Sequence, residues 1–271
     1  MWDPAQYLRH ADHRSRPFFD LVGRIAIDPG AVRAVADVGC GPGHLTVTLA
    51  DRWPGARVVG IDTSAAMIER ARADHPGGDW QLADARTWAP AAPLDVVVSN
   101  AVLQWVPGHR NVIGRLLGLV RPGGWLAFQV PANDGAPAQR TLAALARSPQ
   151  WIERVGDLAE RKEHVADPQD YATGLLAAGC DHVDAWETTY VHVLAGDDPV
   201  LDWLAGTGLR PILEHLGTDG PAFCTELAPL LRAHYPTGPH GTLFPFRRVF
   251  AVARRGTGHA SPAAVPGSSP R

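Results

Sequence analysis

Val35-Ala-Asp-Val-Gly-Cys-Gly-Pro-Gly43 reads as a buried strand that ends in an acidic residue and runs into a glycine-rich turn. Its valines and alanine lack polar alternation, as expected of a strand covered on both faces of a parallel sheet. Glycines at 39, 41 and 43 let the backbone turn tightly and leave no Cβ between the chain and a ligand. A helical pattern follows at once: Leu45, Leu49 and Trp53 recur at spacing four between His44 and Trp53, and Pro54-Gly55 ends it.

Outward from this stretch the same rhythm repeats. Residues 57–61 (Arg-Val-Val-Gly-Ile), 95–99 (Asp-Val-Val-Val-Ser) and 125–130 (Trp-Leu-Ala-Phe-Gln-Val) are strand candidates, with 80–83 a weaker one. A helix capped by Thr63 or Ser64 is expected to bury Met67, Ile68 and Ala71. Another, over 111–120, repeats Val112, Leu116 and Leu119 until Arg121-Pro-Gly-Gly124 stops it. After Pro131 the pattern changes: helical segments at 138–146, 171–178, 200–205 and 223–234 surround a strand at 183–193, and 248–253 reads as the last strand. The fold class is therefore α/β, with a doubly wound, mostly parallel sheet and helical insertions in the C-terminal half that roof a site at the strands' carboxyl ends.

Composition narrows the function classes. The chain has 271 residues, 45% of them hydrophobic, enough for one large domain or one domain with a sizeable insertion. A formal net charge of -3 supplies no overall basic field, so neither nucleic acid nor a membrane surface is expected as a partner. Cys40, Cys180 and Cys224 form no CxxC pair, and the twelve histidines show no HExxH spacing, so neither a disulfide framework nor a metal is expected. No run approaches the roughly 20 apolar residues of a membrane span, and a cytoplasmic protein is expected. Arg161-Lys-Glu-His164 reads as a solvated face or loop.

Polar residues stand at the ends of successive strands: Asp37, Asp62, Asp84 and Asn100. A carboxylate at 62 can accept both hydroxyls of a ribose, one at 84 an exocyclic amine, and one at 37 can favour a cationic group near the loop. A dinucleotide fingerprint starting at Gly39 and Gly41 places its third small residue at 44, where this chain has His44. A zwitterionic nucleoside fits better than a pyrophosphate.

Over residues 35–130 the chain resembles the class I methyltransferases that use S-adenosylmethionine. Their glycine-rich first motif matches Asp37-Val-Gly-Cys-Gly-Pro-Gly43, their ribose-binding acid Asp62, their adenine-side acid Asp84, and their fourth motif Ser99-Asn100-Ala101. The resemblance extends from residue 1 to Arg255 with a narrower family, the trans-aconitate methyltransferases. It is carried by Trp2-Asp-Pro, Tyr7-Leu, Arg14-Ser-Arg-Pro17, Ala101-Val-Leu-Gln-Trp105, Trp186-Glu-Thr-Thr-Tyr190 with His192, Asp202-Trp203, Thr207-Gly-Leu-Arg-Pro211 and Phe246-Arg-Arg-Val-Phe250.

That resemblance implies a seven-stranded Rossmann-like sheet and a methyl transfer from S-adenosylmethionine to a carboxylate of a small tricarboxylic acid. It implies cofactor contacts from Asp37, Gly39, Cys40, Gly41, Gly43, Asp62, Thr63, Met67, Asp84, Ala85, Asn100 and Gln104. A tricarboxylate needs cations and neutral donors, which singles out Arg16, Arg210 and Arg248 as anchors, with Tyr7, Trp105, Tyr190 and His192 as pocket wall and no residue in proton transfer. Tyr190 and His192 alternate on one side of a strand, which suits a pocket wall or a solvent face equally.

The expected division is an N-terminal helical cap (1–30), a cofactor-binding core (31–131), the rest of the sheet with substrate-side helices (132–255), and a disordered tail (256–271). The partner is a small carboxylic acid, and the oligomeric state a monomer or weak homodimer. Three other readings stay open: a methyltransferase for another small or carrier-bound acid, a nicotinamide-dependent oxidoreductase, and a non-catalytic S-adenosylmethionine-binding protein.

Overall fold

The β-branched run at 35–38 forms the inner strand of a large sheet. In the computed structural model, which describes residues 11–159 and 165–258, β1 (Ala34–Val38) lies parallel between β2 (Arg57–Asp62) and β4 (Leu94–Asn100). β3 (Asp79–Leu82) pairs parallel with β2, and β5 (Val120–Pro131) with β4. β8 (Gly241–Arg255) runs antiparallel to both β5 and β6 (Cys180–Leu194). The spatial order is β3-β2-β1-β4-β5-β8-β6, with the two-residue β7 (Thr237–Gly238) attached to β8. This is the doubly wound, mostly parallel seven-stranded sheet expected from the sequence, plus β7. Its order reverses between β1 and β4, where open α/β sheets hold ligands beyond the strands' carboxyl ends.

Period-two alternation decides which core each side chain joins. Val35, Val96 and Val98 face Phe18, Leu21 and Val22 from α1 (Ala11–Gly23) and the stretch it leads into. Ala36, Val38 and Val97 face the opposite way, against Val112, Ile113 and Leu116 of α4 (His109–Leu119) and Tyr171 and Leu175 of α7 (Pro168–Ala177). Burying each such aliphatic side chain stabilises the fold by about 1.5–3 kcal/mol. Between the strands lie α2 (Thr48–Arg52) and α3 (Ala65–Asp74). Ser64 caps α3 by accepting from the Met67 N–H at 3.4 Å, and the helix buries Met67, Ile68 and Ala71.

A third core is built from two insertions. α5 (Pro137–Ala146) and α6 (Ile152–Val155) come between β5 and β6, while α8 (Pro199–Ala205), α9 (Arg210–Leu216) and α10 (Gly220–His234) come between β6 and β8. Leu142, Trp151, Trp203, Ile212 and Phe223 from these helices pack together with Phe244 and Phe246 of β8. Proline sits in the first turn of α5, α7, α8, α9 and α10, where its missing N–H has no helical partner to lose. Among the described residues no helix is long and apolar enough to cross a membrane. Residues 1–10, residues 160–164 with the 161–164 run, and the tail beyond 258 lie outside the described residues.

Three boundaries differ from the sequence expectation. The helix expected over 44–53 becomes regular only at Thr48, because 43–47 wind through turns whose N–H groups reach back mostly three residues, as from Thr48 to Leu45 and Leu49 to Thr46. Thr46 directs its hydroxyl to Asp37 instead. Arg121–Gly124, expected as a turn ahead of the fifth strand, belongs to β5: Val120 already pairs with Leu94, and the register then shifts so that Trp125 meets Val96. Asp95 holds this irregular start, accepting from Arg121 Nε and from the Arg33 and Ala34 N–H groups at 2.7 and 2.9 Å. The last strand begins at Gly241 rather than 248, since Thr242 to Arg247 pair with β6 beyond the end of β5.

Under the glycine turn lies Trp80, whose indole fills a slot with glycine on three sides. A Cβ at Gly43, Gly60 or Gly78 would come within 2.5, 2.6 or 2.4 Å of its ring atoms. The indole N–H donates to the His75 carbonyl at 2.9 Å, which fixes the ring in the slot. Gly60→Ala is expected to cost about 1–3 kcal/mol by overpacking, read as a lower midpoint in urea; an unchanged midpoint would mean the slot yields freely.

Asp37 is the buried acid of β1, only 3% exposed, with Oδ2 accepting from Thr46 Oγ1 at 2.6 Å. Burial, helped by nearby Asp62, outweighs the Thr46 bond and pushes its pKa up from 3.8 to about 7. A raised carboxyl pKa favours the native state below the unfolded value, and that stability is lost as the pH climbs through the folded value. At pH 8 Asp37→Asn should therefore be more stable than the parent by on the order of 4 kcal/mol. The difference should close by about pH 4; denaturant titrations at the two pH values decide it, and equal stability at pH 8 would refute the ionisation argument.

Candidate functional site

The glycine turn is stitched to the end of β2. Gly39 and Cys40 donate their N–H groups to the Ile61 carbonyl at 2.7 and 3.0 Å, and Gly41 donates to Asp62 Oδ2 at 3.0 Å. Asp62 Oδ1 accepts from the Ser64 N–H at 2.8 Å. Burial raises the pKa of Asp62, while the N–H groups of Ser64, Gly41 and Thr63 pull it down. Three backbone N–H groups thus engage the carboxylate, fewer than the roughly four lone pairs it carries, which leaves an acceptor position for a ligand hydroxyl.

Above this stitch opens a cavity of about 270 Å³. Of the sequence candidates, Gly39, Gly41, Asp62, Thr63, Met67, Asp84, Ala85, Asn100 and Trp105 line it. Val38, Ile61, Val102 and Val106 supply its apolar walls. A Cβ at Gly39 would fall 2.0 Å from Val102, so only glycine allows the wall to close there. Asp84 holds a fork with Arg86, whose Nε lies 3.0 Å from both oxygens, and this contact lowers the Asp84 pKa. Apolar walls for a base, a carboxylate for a diol and a glycine floor fit an S-adenosylmethionine-type nucleoside.

A second cavity, of about 80 Å³, shares Asn100, Ala101 and Trp105 with the first. Its far wall comes from Arg248 and Phe246 of β8, from Trp203, Thr207 and Gly208 of the helical insertion, and from Gln139 of α5. Arg248 is 3% exposed; its guanidinium lies over the Phe246 ring at 4.9 Å, and Nη1 donates to Gln129 Oε1 at 3.0 Å. Gln104, expected at the cofactor, lines this second cavity and donates through Nε2 to the Ala101 carbonyl at 2.7 Å. Ala101 has φ 59°, the only positive φ outside glycine among the described residues, so the shared wall stores backbone strain.

The other sequence candidates among the described residues stand outside both walls. Asp37 lies beneath the turn, bonded to Thr46; Cys40 and Gly43 pack on Trp80, and burial raises the Cys40 pKa. Tyr190 belongs to the core with Phe250, and its hydroxyl donates to Asp20 Oδ2 at 2.7 Å. His192 stacks on Trp203 at 4.9 Å, behind the pocket wall. Both rings do share one face of β6, and that face is buried rather than solvated. Arg16 is 75% exposed in its side chain, 3.7 Å from Asp20 and over the Tyr190 ring. Arg210 contacts Glu214 at 3.1 Å on α9. Tyr7 lies outside the described residues. Sequence reasoning passed over Arg86, Gln129, Asn133 and Gln139. Of these only Gln129 left a trace, as the single polar residue inside the apolar run 125–130. Among the described residues no group of three or more His, Cys, Asp or Glu is placed to hold a metal ion.

Comparison with known proteins agrees with this geometry. A family model described as a methyltransferase domain matches residues 8–184. The trans-aconitate 2-methyltransferase of Streptomyces coelicolor is 53% identical, covering 95% of this chain and 88% of its own. That of Streptomyces avermitilis is 51% identical, covering 94% and 97%. Among solved structures, the YcgJ protein of Bacillus subtilis superimposes with a TM-score of 0.55 at 13% identity, over 91% of this chain and all of its own, which supports the fold. The nucleoside-shaped cavity, the matched domain and the identity along nearly the whole length lead to one conclusion: the chain belongs to the trans-aconitate 2-methyltransferase family of S-adenosylmethionine-dependent methyltransferases.

Proposed function

We propose that the protein transfers a methyl group from S-adenosylmethionine to a carboxylate oxygen of trans-aconitate, giving a methyl ester and S-adenosylhomocysteine. The observation that carries this reading is the buried Arg248 in a small cavity that shares a wall with the nucleoside-shaped one. A guanidinium in the wall of a small cavity offers charge-assisted donors to an anion held there, and a polycarboxylate is such an anion. The charge of -3 supports a small-molecule acceptor over nucleic acid, and the separate free cysteines suit a cytoplasmic monomer or weak homodimer.

Bound S-adenosylmethionine supplies an electrophilic methyl group on a sulfonium. The chain's own residues bind and orient. Asp62 would take the ribose hydroxyls, the floor of Gly39 and Gly41 would allow close approach, and Met67 with Val106 would offer apolar surface to the base. Arg248 pairs with a carboxylate remote from the reacting one, while Trp105 walls off water where the two cavities meet. A carboxylate with a pKa near 4 is already ionised at neutral pH, so no side chain needs to take a proton. The rate comes from alignment and water exclusion.

Incubation of the protein with methyl-labelled S-adenosylmethionine and trans-aconitate should yield a base-labile methyl ester by mass spectrometry. Ester on another acid alone would move the substrate assignment, and cofactor binding without any product would sink the enzymatic reading. Replacing the buried cation with a neutral group, Arg248→Gln, should raise the KM for trans-aconitate on the order of 100-fold, equivalent to about 2.7 kcal/mol. The dissociation constant for S-adenosylhomocysteine, measured by calorimetry, should stay unchanged; a parallel loss of both would remove Arg248 from the acceptor site.

A further inference from the structure

Asn100, Gln129 and Arg248 form one hydrogen-bonded row across three strands. Asn100 of β4 stands opposite Gln129 of β5, Gln129 stands opposite Phe250 of β8, and Arg248 lies two residues along on the same face. Arg248 Nη1 donates to Gln129 Oε1 at 3.0 Å, and Gln129 Nε2 donates to Asn100 Oδ1 at 2.9 Å. The Gln129 carbonyl also accepts the N–H of the strained Ala101 at 2.9 Å. Gln129 is fully buried and touches neither cavity, whereas both of its side-chain partners line one or both.

The direction of this row is forced by chemistry. A guanidinium has donors only, so Gln129 must turn its oxygen toward Arg248 and its nitrogen toward Asn100. Asn100 must then turn its oxygen inward, which leaves Nδ2, a donor, as the side-chain group it offers to the wall between the cavities. A donor at that wall suits an acceptor oxygen of a carboxylate and opposes an amine, which would bring N–H groups of its own.

We propose that Gln129 is a positioning residue that transmits the donor character of Arg248 to Asn100, so that the junction of the two cavities selects an oxygen nucleophile over an amine. This rests on the reading of the second cavity as the acceptor site. The amide reverses polarity between its two ends with almost no change of shape, which no apolar residue can do.

The test uses the full chain in three forms: parent, Gln129→Glu and Gln129→Met. In Gln129→Glu the ionised carboxylate still accepts from Arg248 but offers Asn100 an acceptor, so the Asn100 amide turns over and presents Oδ1 to the junction. Gln129→Met removes both bonds and imposes no reversal. The expected result is a fall in kcat/KM for trans-aconitate of about 100-fold in Gln129→Glu and about tenfold in Gln129→Met. S-adenosylhomocysteine affinity should stay within about threefold in both. Relative to the parent, Gln129→Glu should recover as the pH is lowered and its carboxyl gains a donor proton, and Gln129→Met should not. Equal losses in the two variants at every pH, or losses matched by cofactor affinity, would overturn the relay in favour of plain structural damage.

The outcome is separable from that of the substrate reading. Should the parent methylate no acid, the function fails, and the relay is read directly in an atomic-resolution crystal structure of Gln129→Glu. Asn100 Nδ2 donating to the introduced carboxylate supports it; Oδ1 still facing that carboxylate overturns it. If Gln129→Glu does not fold, Asn100→Asp takes its place, since it keeps an acceptor for Gln129 and puts another at the junction. A comparable loss on trans-aconitate supports the relay, and parent-like turnover overturns it.

Discussion

The three successive N–H groups of Gly39, Cys40 and Gly41 all end on the last two residues of β2, two on the Ile61 carbonyl and one on the Asp62 carboxylate. This stitch is the constraint from which the site follows. It folds the turn back over the sheet, engages the Asp62 carboxylate together with the Ser64 N–H, and leaves what remains of that carboxylate facing the cavity. It also sets the height of the turn above Trp80, whose ring lies against Gly43 and Gly60 at once. A side chain at either glycine would press on the ring, and through the ring on the turn.

The second constraint is the pleat. On the face that α1 covers, each of two neighbouring strands carries apolar residues at every second position and then a polar one near its carboxyl end. β4 reads Val96, Val98, Asn100, and β5 reads Trp125, Ala127, Gln129. β8 runs the other way and places Phe250 beside the α1 core, Arg248 next, then Phe246 and Phe244 in the core of the helical insertions. The polar row therefore occupies the gap between two hydrophobic cores, where the sheet leaves one and enters the other. Gln129, at the middle of the row, is fully buried, so its hydrogen bonds are stronger than at the surface and any mismatch there is costlier.

How much of this was legible in the sequence depends on how local each signal was. The glycine turn, the Ser64 cap and the acids at the strand ends are encoded within a few residues, and the mostly parallel, doubly wound character of the sheet followed from the βαβ rhythm. Asp62 and Asp84 line the cavity as those local signals suggest. The roles that misled were the ones needing long-range information. Asp37 looks like Asp62 in the sequence, yet pleat direction puts it under the turn, where Thr46 takes its oxygen. Arg16, Arg210 and Arg248 looked alike as cations; Asp20 and Glu214, each four residues away on the same helical stretch, engage the first two, while Arg248 is carried inward by a strand. Gln129 was visible as a polar residue in an apolar strand, but its partners come from strands 29 and 119 positions away, and nothing local names them.

The same strand that delivers Arg248 also anchors the helical insertions, and this links the second cavity to the stability of its roof. Phe246 contacts the Arg248 guanidinium on one side and the Trp203 ring, at 5.4 Å, on the other; Trp203 in turn stacks on His192. A side chain lost from this aromatic run leaves a cavity whose lining cannot fully collapse, because β6 and β8 pair continuously behind it. The guanidinium would then lose the ring that holds it flat, while the glycine turn, stitched to β2 at the other end of the sheet order, would keep its geometry. The two cavities thus rest on different parts of the sheet, the first on local backbone bonds and the second on packing between segments distant in sequence. Among the described residues they meet at Asn100, Ala101 and Trp105, so the strained Ala101 and its neighbour Asn100 stand where geometry must satisfy both.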